Sequence, residues 1–167
     1  SFDLIYARPE QKLSDWKNEL ERAISFGTKH LSLYQLTIEK GTKFFSQFKR
    51  QEFTMPDDNL SADFYEMTNQ ITADNGFNLY EISNYAKTGF ECKHNLTYWQ
   101  GKDYLGIGAG AHSRIYLDQN DKRSAITMLH EPTAWLKKAE ENGAGIQKIE
   151  ETSPEELLEE LILTGLR

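Results

Sequence analysis

The sequence holds one cysteine, Cys92, in 167 residues. A single thiol excludes an internal disulfide framework and any C-x-x-C pair. It points to a reducing compartment, with the cytoplasm as the default expectation. Long apolar runs are also missing. No stretch of about 18 apolar residues occurs, so no membrane-spanning helix is expected. No basic-then-apolar leader is visible, so no secretory signal is expected. Basic charge is scarce: 19 Lys and Arg against 26 Asp and Glu give a net charge of −7. That balance argues against wrapping nucleic acid through its phosphates. It argues equally against binding an anionic membrane surface by charge alone. No internal repeat, low-complexity segment or Ser-His-Asp elbow is present.

What remains is an ordinary globular composition, 38% hydrophobic and 27% charged, sufficient for one domain or a piece of a larger one. Phe2–Tyr6 reads as a buried strand ended by Pro9. Leu13, Trp16, Leu20, Ala23 and Ile24 keep helical spacing, with Ser14 as the expected N-cap and Gly27 as the stop. His30–Leu36 reads as a second strand, and strand–helix–strand order implies a parallel crossover. A long irregular connection follows. Leu60, Phe64, Met67 and Ile71 mark another helix, closed by Gly76. Phe77–Ile82 is expected as a third parallel strand. Later, residues 113–129 read as a hairpin about Asn120-Asp121, and Thr133–Asn142 as a short helix. Ser153-Pro154-Glu155-Glu156 carries the cap, first-turn proline and Glu of a helix start. The chain opens on a strand without methionine and stops within a helical pattern, so a fragment cut on both sides is expected.

Several residues invite a chemical reading, each against a plainer one. Asp3 in an apolar strand start is a ligand contact or a paired strand-end acid. Glu39, Gly41 and Thr42 would stand at a barrel mouth or simply form a turn. Glu81, Ser83 and Asn84 close a strand and line a site or satisfy the backbone. Cys92 and His94 are two potential metal ligands, short of the three or four that zinc needs. His94 alone is a haem-iron ligand or a packed histidine. Tyr98 and Trp99 are core residues or faces for a flat macrocycle. Gly106, Gly108 and Ala111 fit G-x-G-x-x-A in spacing, but the following residues read as strand, not the helix a dinucleotide site requires. Close backbone approach to a ligand stays open there.

Set in order, "FDLIYARPEQKLSDW", "HLSLYQLTIEKGTKFF", "YEISNYAKTGFECKHNLTYWQGKDYLGIGAGAHS" and "ELILTGLR" resemble the oxygen-independent coproporphyrinogen oxidase family of radical SAM proteins. They are most similar to its HemW-type branch. The branch marker H-N-x-x-Y-W stands here as His94, Asn95, Tyr98 and Trp99. The resemblance covers nearly the whole chain. It implies an α/β fold, the C-terminal part of a partial (β/α)6 TIM-like radical SAM barrel followed by a small α+β segment. Residues 1–115 would belong to the barrel and 116–167 to the start of a C-terminal domain.

The resemblance implies S-adenosylmethionine and a [4Fe–4S] cluster in the full-length protein. The cluster's C-x-x-x-C-x-x-C motif is absent here, so this piece is not expected to be active alone and no residue of it is expected to be catalytic or to bind metal. Asp3, Thr37 and His112 match positions lining the S-adenosylmethionine pocket, and His94, Tyr98 and Trp99 are the expected haem contacts. One departure is visible: "YARPEQK" replaces Y-G-L-P-x-Q-T, with Ala7 for glycine and Arg8 adding a charge. The implied function is haem binding and delivery to recipient haemoproteins, with haem, those recipients and a second copy of the protein as partners. The alternatives are oxidative decarboxylation of coproporphyrinogen III and a non-catalytic interaction domain.

Overall fold

The computed structural model describes residues 1–117 and 122–166. It divides into two compact units, Ser1–Cys92 and Lys93–Arg167. The segment 93–115, grouped by the sequence reading with the barrel, packs with the C-terminal elements. The Asn120-Asp121 turn lies outside the described residues.

In the first unit, β1 (Phe2–Tyr6), α1 (Leu13–Ser25) and β2 (His30–Gln35) form the expected crossover, with β1 and β2 parallel from Phe2↔Leu31 to Tyr6↔Gln35. Helix α1 starts at Leu13 with Lys12 at the cap and no capping side chain. Ser14, the expected cap, lies inside the first turn. The connection beyond β2 is less irregular than its sequence suggests: α2 (Lys43–Lys49) forms within it, capped by the Thr42 hydroxyl, which accepts the Phe45 N–H. Helix α3 (Asp58–Asp74) follows. Gly27 and Gly76 sit just past α1 and α3 with positive φ, as helix stops do.

The third strand requires a correction. β3 (Asn78–Glu81) does not lie beside β2 as a parallel neighbour. The chain turns back at Ile82-Ser83 into β4 (Asn84–Ala86), which inserts between them antiparallel to both, giving the order β1-β2-β4-β3. A three-residue strand presents too little alternation to be read from sequence.

Alternation sorts the two sheet faces. Tyr6, Leu31, Leu33 and Tyr85 join Trp16, Leu20 and Ala23 of α1 and Phe64 and Ile71 of α3 in one core. The apolar positions of α1 fall at i, i+4 and i+7, one stripe facing the sheet. Trp16 is wholly buried and stacks on Tyr6 with centroids 5.2 Å apart. Its indole N–H donates to the Thr68 hydroxyl at 2.8 Å, and that hydroxyl donates onward to the Phe64 carbonyl. At the exit of β1, Ala7 is buried with φ of 55°. The turn around it is held by the Arg8 N–H on Gln11 Oε1, by the Gln11 N–H on the Arg8 carbonyl, and by the Arg8–Glu19 ion pair.

The second unit opens with α4 (Lys93–Trp99), an element not expected from the sequence. β5 (His112–Tyr116) and β6 (Arg123–Met128) form the expected antiparallel hairpin. β7 (Ile146–Glu151), also unexpected, completes a sheet in the order β5-β6-β7. Its Lys and Glu side chains suit an edge strand and obscure its pattern. Between them lies α5 (Pro132–Asn142). α6 (Pro154–Gly165) begins with the full capping box anticipated: the Ser153 hydroxyl accepts the Glu156 N–H, and the Glu156 carboxylate accepts the Ser153 N–H. Those bonds hold the Glu156 carboxyl below its ordinary range. Arg114 of β5 clamps Glu160 of α6.

Thr68→Val removes the acceptor of a fully buried indole N–H while keeping its shape. Chemical denaturation followed by tryptophan fluorescence should show a loss of about 1–3 kcal/mol. Burial pushes the Tyr6 hydroxyl up to about 12 and raises that of Tyr85 as well. Folded values above the unfolded value of about 10 stabilise fully below that pH and lose their contribution as pH rises through the folded value. The urea midpoint should therefore fall between pH 10 and 12, and Tyr6→Phe should flatten that fall.

Candidate functional site

The strand register places four polar residues in one row across the first sheet. Asp3 pairs with Ser32, Ser32 with Asn84, and Asn84 with Glu81. Paired residues share a face, and this face is the one turned away from α1 and α3. Asp3 is exposed at one end, whereas Ser32, Asn84 and Glu81 are buried. Glu81 Oε1 accepts the Ser83 N–H and an Asn84 side-chain N–H. Asn84 Oδ1, equally buried, makes no hydrogen bond among the described residues. A buried acceptor left open costs free energy unless a ligand or water fills it. This row gathers Asp3, Glu81 and Asn84, each singled out from sequence, and adds Ser32, which alternation within "HLSLYQ" alone did not flag.

Ile5 and Tyr34, adjacent in the register, lie next along the same face and line an open cavity of about 570 Å³ with Gln35, Leu36, Thr37 and Ser83. Thr37 thus stands at the C-terminal end of β2, where barrel sites form, and its hydroxyl reaches Glu39 at 3.3 Å. Glu39, Gly41 and Thr42 take the plainer of their two readings: the Glu39 carbonyl accepts the Thr42 hydroxyl, and Gly41 has φ of 85°.

In the second unit, "HNLTYW" lies on α4. Four-residue spacing sets His94 and Tyr98 on one face. The Tyr98 hydroxyl and His94 Nε2 are 3.0 Å apart, with the rings edge-on. The His94 side chain is exposed, so an incoming ligand reaches the imidazole. Tyr98 meets Tyr104 edge-to-face at 4.4 Å, and both line a cavity of about 250 Å³ with Gly101, Arg114, Arg123, Glu160 and Leu161. Burial raises the Tyr104 hydroxyl, and Arg114 opposes that rise. The sequence reading missed this cavity. Its one visible signal was the arginine at the head of an otherwise uncharged strand, "RSAITM".

The glycine segment folds on its own chain. A Cβ at Gly106 would lie 2.1 Å from the His112 carbonyl oxygen, and the Gly106 N–H donates to the Ser113 hydroxyl at 2.9 Å. The strand β5 follows, not a helix, so the dinucleotide reading fails. The His112 side chain is exposed and reaches the Thr127 hydroxyl at 3.4 Å. Asp3 and Thr37 belong to the first unit, and His94, Tyr98, Trp99 and His112 to the second.

Among the described residues, no group of three or more His, Cys, Asp or Glu side chains is placed to hold a metal ion, and Cys92 is a free thiol. An iron–sulfur cluster, which takes cysteine thiolates, finds no ligand set here. The polar row and Thr37 cavity do offer hydrogen-bonding groups suited to a polar nucleoside ligand. No described helix is long and apolar enough to cross a membrane.

No protein-family model matches the chain. Radical S-adenosyl methionine domain-containing protein 1, mitochondrial, of Danio rerio is 36% identical over 169 residues, covering 100% of this chain and 38% of that protein. Heme chaperone HemW of Synechocystis is 36% identical over 167 residues, covering 100% of this chain and 40% of that protein. The chain thus spans well under half the length of these curated relatives. Among solved structures, coproporphyrinogen III oxidase (HemN) from Escherichia coli, a radical SAM enzyme, superposes with a TM-score of 0.73 at 18% identity. The match covers 98% of this chain and 39% of that one, and at that identity it shows the fold: a mixed α/β part of the radical SAM architecture, as the sequence implied.

Gly106→Ala drives a methyl group into the His112 backbone. Denaturant unfolding of this variant should show a loss of about 1–3 kcal/mol, the usual cost of overpacking.

Proposed function

Because the chain belongs, as a part, to the radical SAM family that includes the HemW proteins, we propose that the full-length protein binds haem as cargo and delivers it to recipient haemoproteins. One observation carries the reading: α4 presents an exposed histidine with a tyrosine hydroxyl on its Nε2, on the segment holding the H-N-x-x-Y-W marker. A neutral imidazole nitrogen is a ready iron ligand. His94 is the proposed axial ligand, Tyr98 the group that orients its ring, and Trp99 a further haem contact. Ligation through Nε2 would break the bond to Tyr98, so loading and release exchange one partner of the imidazole for another.

In this reading residues 1–115 continue the radical SAM barrel and residues 116–167 begin a C-terminal domain. The family resemblance makes Asp3 and Thr37, in the first unit, proposed contacts to S-adenosylmethionine, and His112, in the second, a separately proposed one. The family implies that cofactor and a [4Fe–4S] cluster in full-length members, with the cluster ligands outside this chain. The compartment is reducing: the cytoplasm, or the mitochondrion that the animal relatives' names specify. The protein works alone or as a homodimer. A second reading, oxidative decarboxylation of coproporphyrinogen III, draws on the fold shared with HemN. Anaerobic turnover of the intact protein with S-adenosylmethionine and coproporphyrinogen separates it from the first.

Haem titration of the full-length protein tests the leading reading. His94→Ala should weaken binding about tenfold or more, roughly the loss of 1.4 kcal/mol, and shift the Soret band. An unchanged spectrum and affinity would remove His94 as ligand.

A further inference from the structure

The cavity beside α4 has a charge pattern that the haem reading leaves unused. At about 250 Å³ it falls below the range typical of sites for whole drug-sized ligands, and so suits one arm of a larger molecule. Its lining carries Lys102, Arg114 and Arg123 against one acid, Glu160. Arg114 is committed: its guanidinium makes three contacts to the Glu160 carboxylate. Arg123 is not. Its side chain is 5% exposed, and its Nη2 donates to the Lys102 carbonyl at 2.7 Å. Its Nε makes no hydrogen bond among the described residues. The carboxylate of Asp103 forms an ion pair with that Nε at 3.3 Å, outside hydrogen-bonding geometry, and is itself half-exposed, so an incoming carboxylate can compete for the guanidinium. A guanidinium so far out of water with a donor unfilled is costly to keep. Its fork matches a carboxylate. Tyr98 ties this cavity to the haem motif, since one ring both lines it and touches His94.

We propose that the cavity receives a carboxylate arm of the tetrapyrrole cargo, a propionate, with Arg123 as the anchor and the Tyr98 and Tyr104 rings against its methylenes. The proposal rests on the haem reading and adds to it the feature of the ligand that is recognised. Arg114, held by Glu160, shapes the wall. The site selects carboxylate-bearing tetrapyrroles over neutral ones of the same size.

Full-length protein titrated with haem and with haem dimethyl ester, followed at the Soret band, tests this directly. The wild type should bind the ester about 10- to 100-fold more weakly, the range set by a charge-assisted hydrogen bond. Arg123→Gln should bind haem as weakly as the wild type binds the ester and should no longer distinguish the two. Arg123→Lys, which keeps the charge but not the fork, should recover part of the preference. Equal wild-type affinity for haem and ester overturns the propionate site while leaving the haem reading intact. That comparison needs no variant, so it holds even where Arg123→Gln fails to fold by circular dichroism. Absence of any haem binding overturns both.

Discussion

Register is the constraint on which the first unit depends. Pairing Asp3 with Ser32 and Ser32 with Asn84 does two things at once. It turns Leu31, Leu33 and Tyr85 toward the helices, and it lays the polar row along the opposite face. A slip of one residue would exchange the two sets, placing Asp3 and Ser32 against Trp16 and exposing the leucines. The core therefore enforces the site. Trp16, stacked on Tyr6 and bonded to Thr68, joins β1, α1 and α3 at one buried point and disfavours any such slip.

In the second unit the corresponding role falls to pairs that join elements far apart in sequence. Arg114 and Glu160 tie the hairpin to the last helix, and the start of that helix is fixed by the reciprocal bonds of Ser153 and Glu156. The wall of the arginine-lined cavity thus traces back to a four-residue cap. Tyr98 stands where the two halves of this arrangement meet. Its ring contacts a solvent-accessible imidazole and also lines a cavity with a buried cation.

Much of this was legible in the sequence. Strands β1 and β2, helices α1, α3, α5 and α6, and the β5–β6 hairpin all announced themselves through periodicity, caps and stops. The short elements did not. β4 is three residues long, α2 and α4 are barely two turns, and β7 is disguised by edge charges. Each is too short for its periodicity to stand out. The same limit governed the site. Asp3, Glu81 and Asn84 stood out because acids and amides are conspicuous at strand ends, but only pairing showed that they form one row with Ser32. The glycines of "GIGAGAH" suggested a ligand's approach, whereas Gly106 is small for the sake of the His112 backbone. Arg123 looked like an ordinary hairpin arginine until its burial was visible.

The left-handed Ala7 bears on how sequence and path can part company. Glycine is the residue such a φ favours, and the similar family segment carries one there. Here an alanine takes the left-handed conformation, in a turn braced by the bonds among Arg8, Gln11 and Glu19. The route out of β1 is thus inherited from neighbours rather than dictated by the residue at the bend. The brace around Ala7, rather than the residue itself, carries the strain of the bend at the mouth of the sheet.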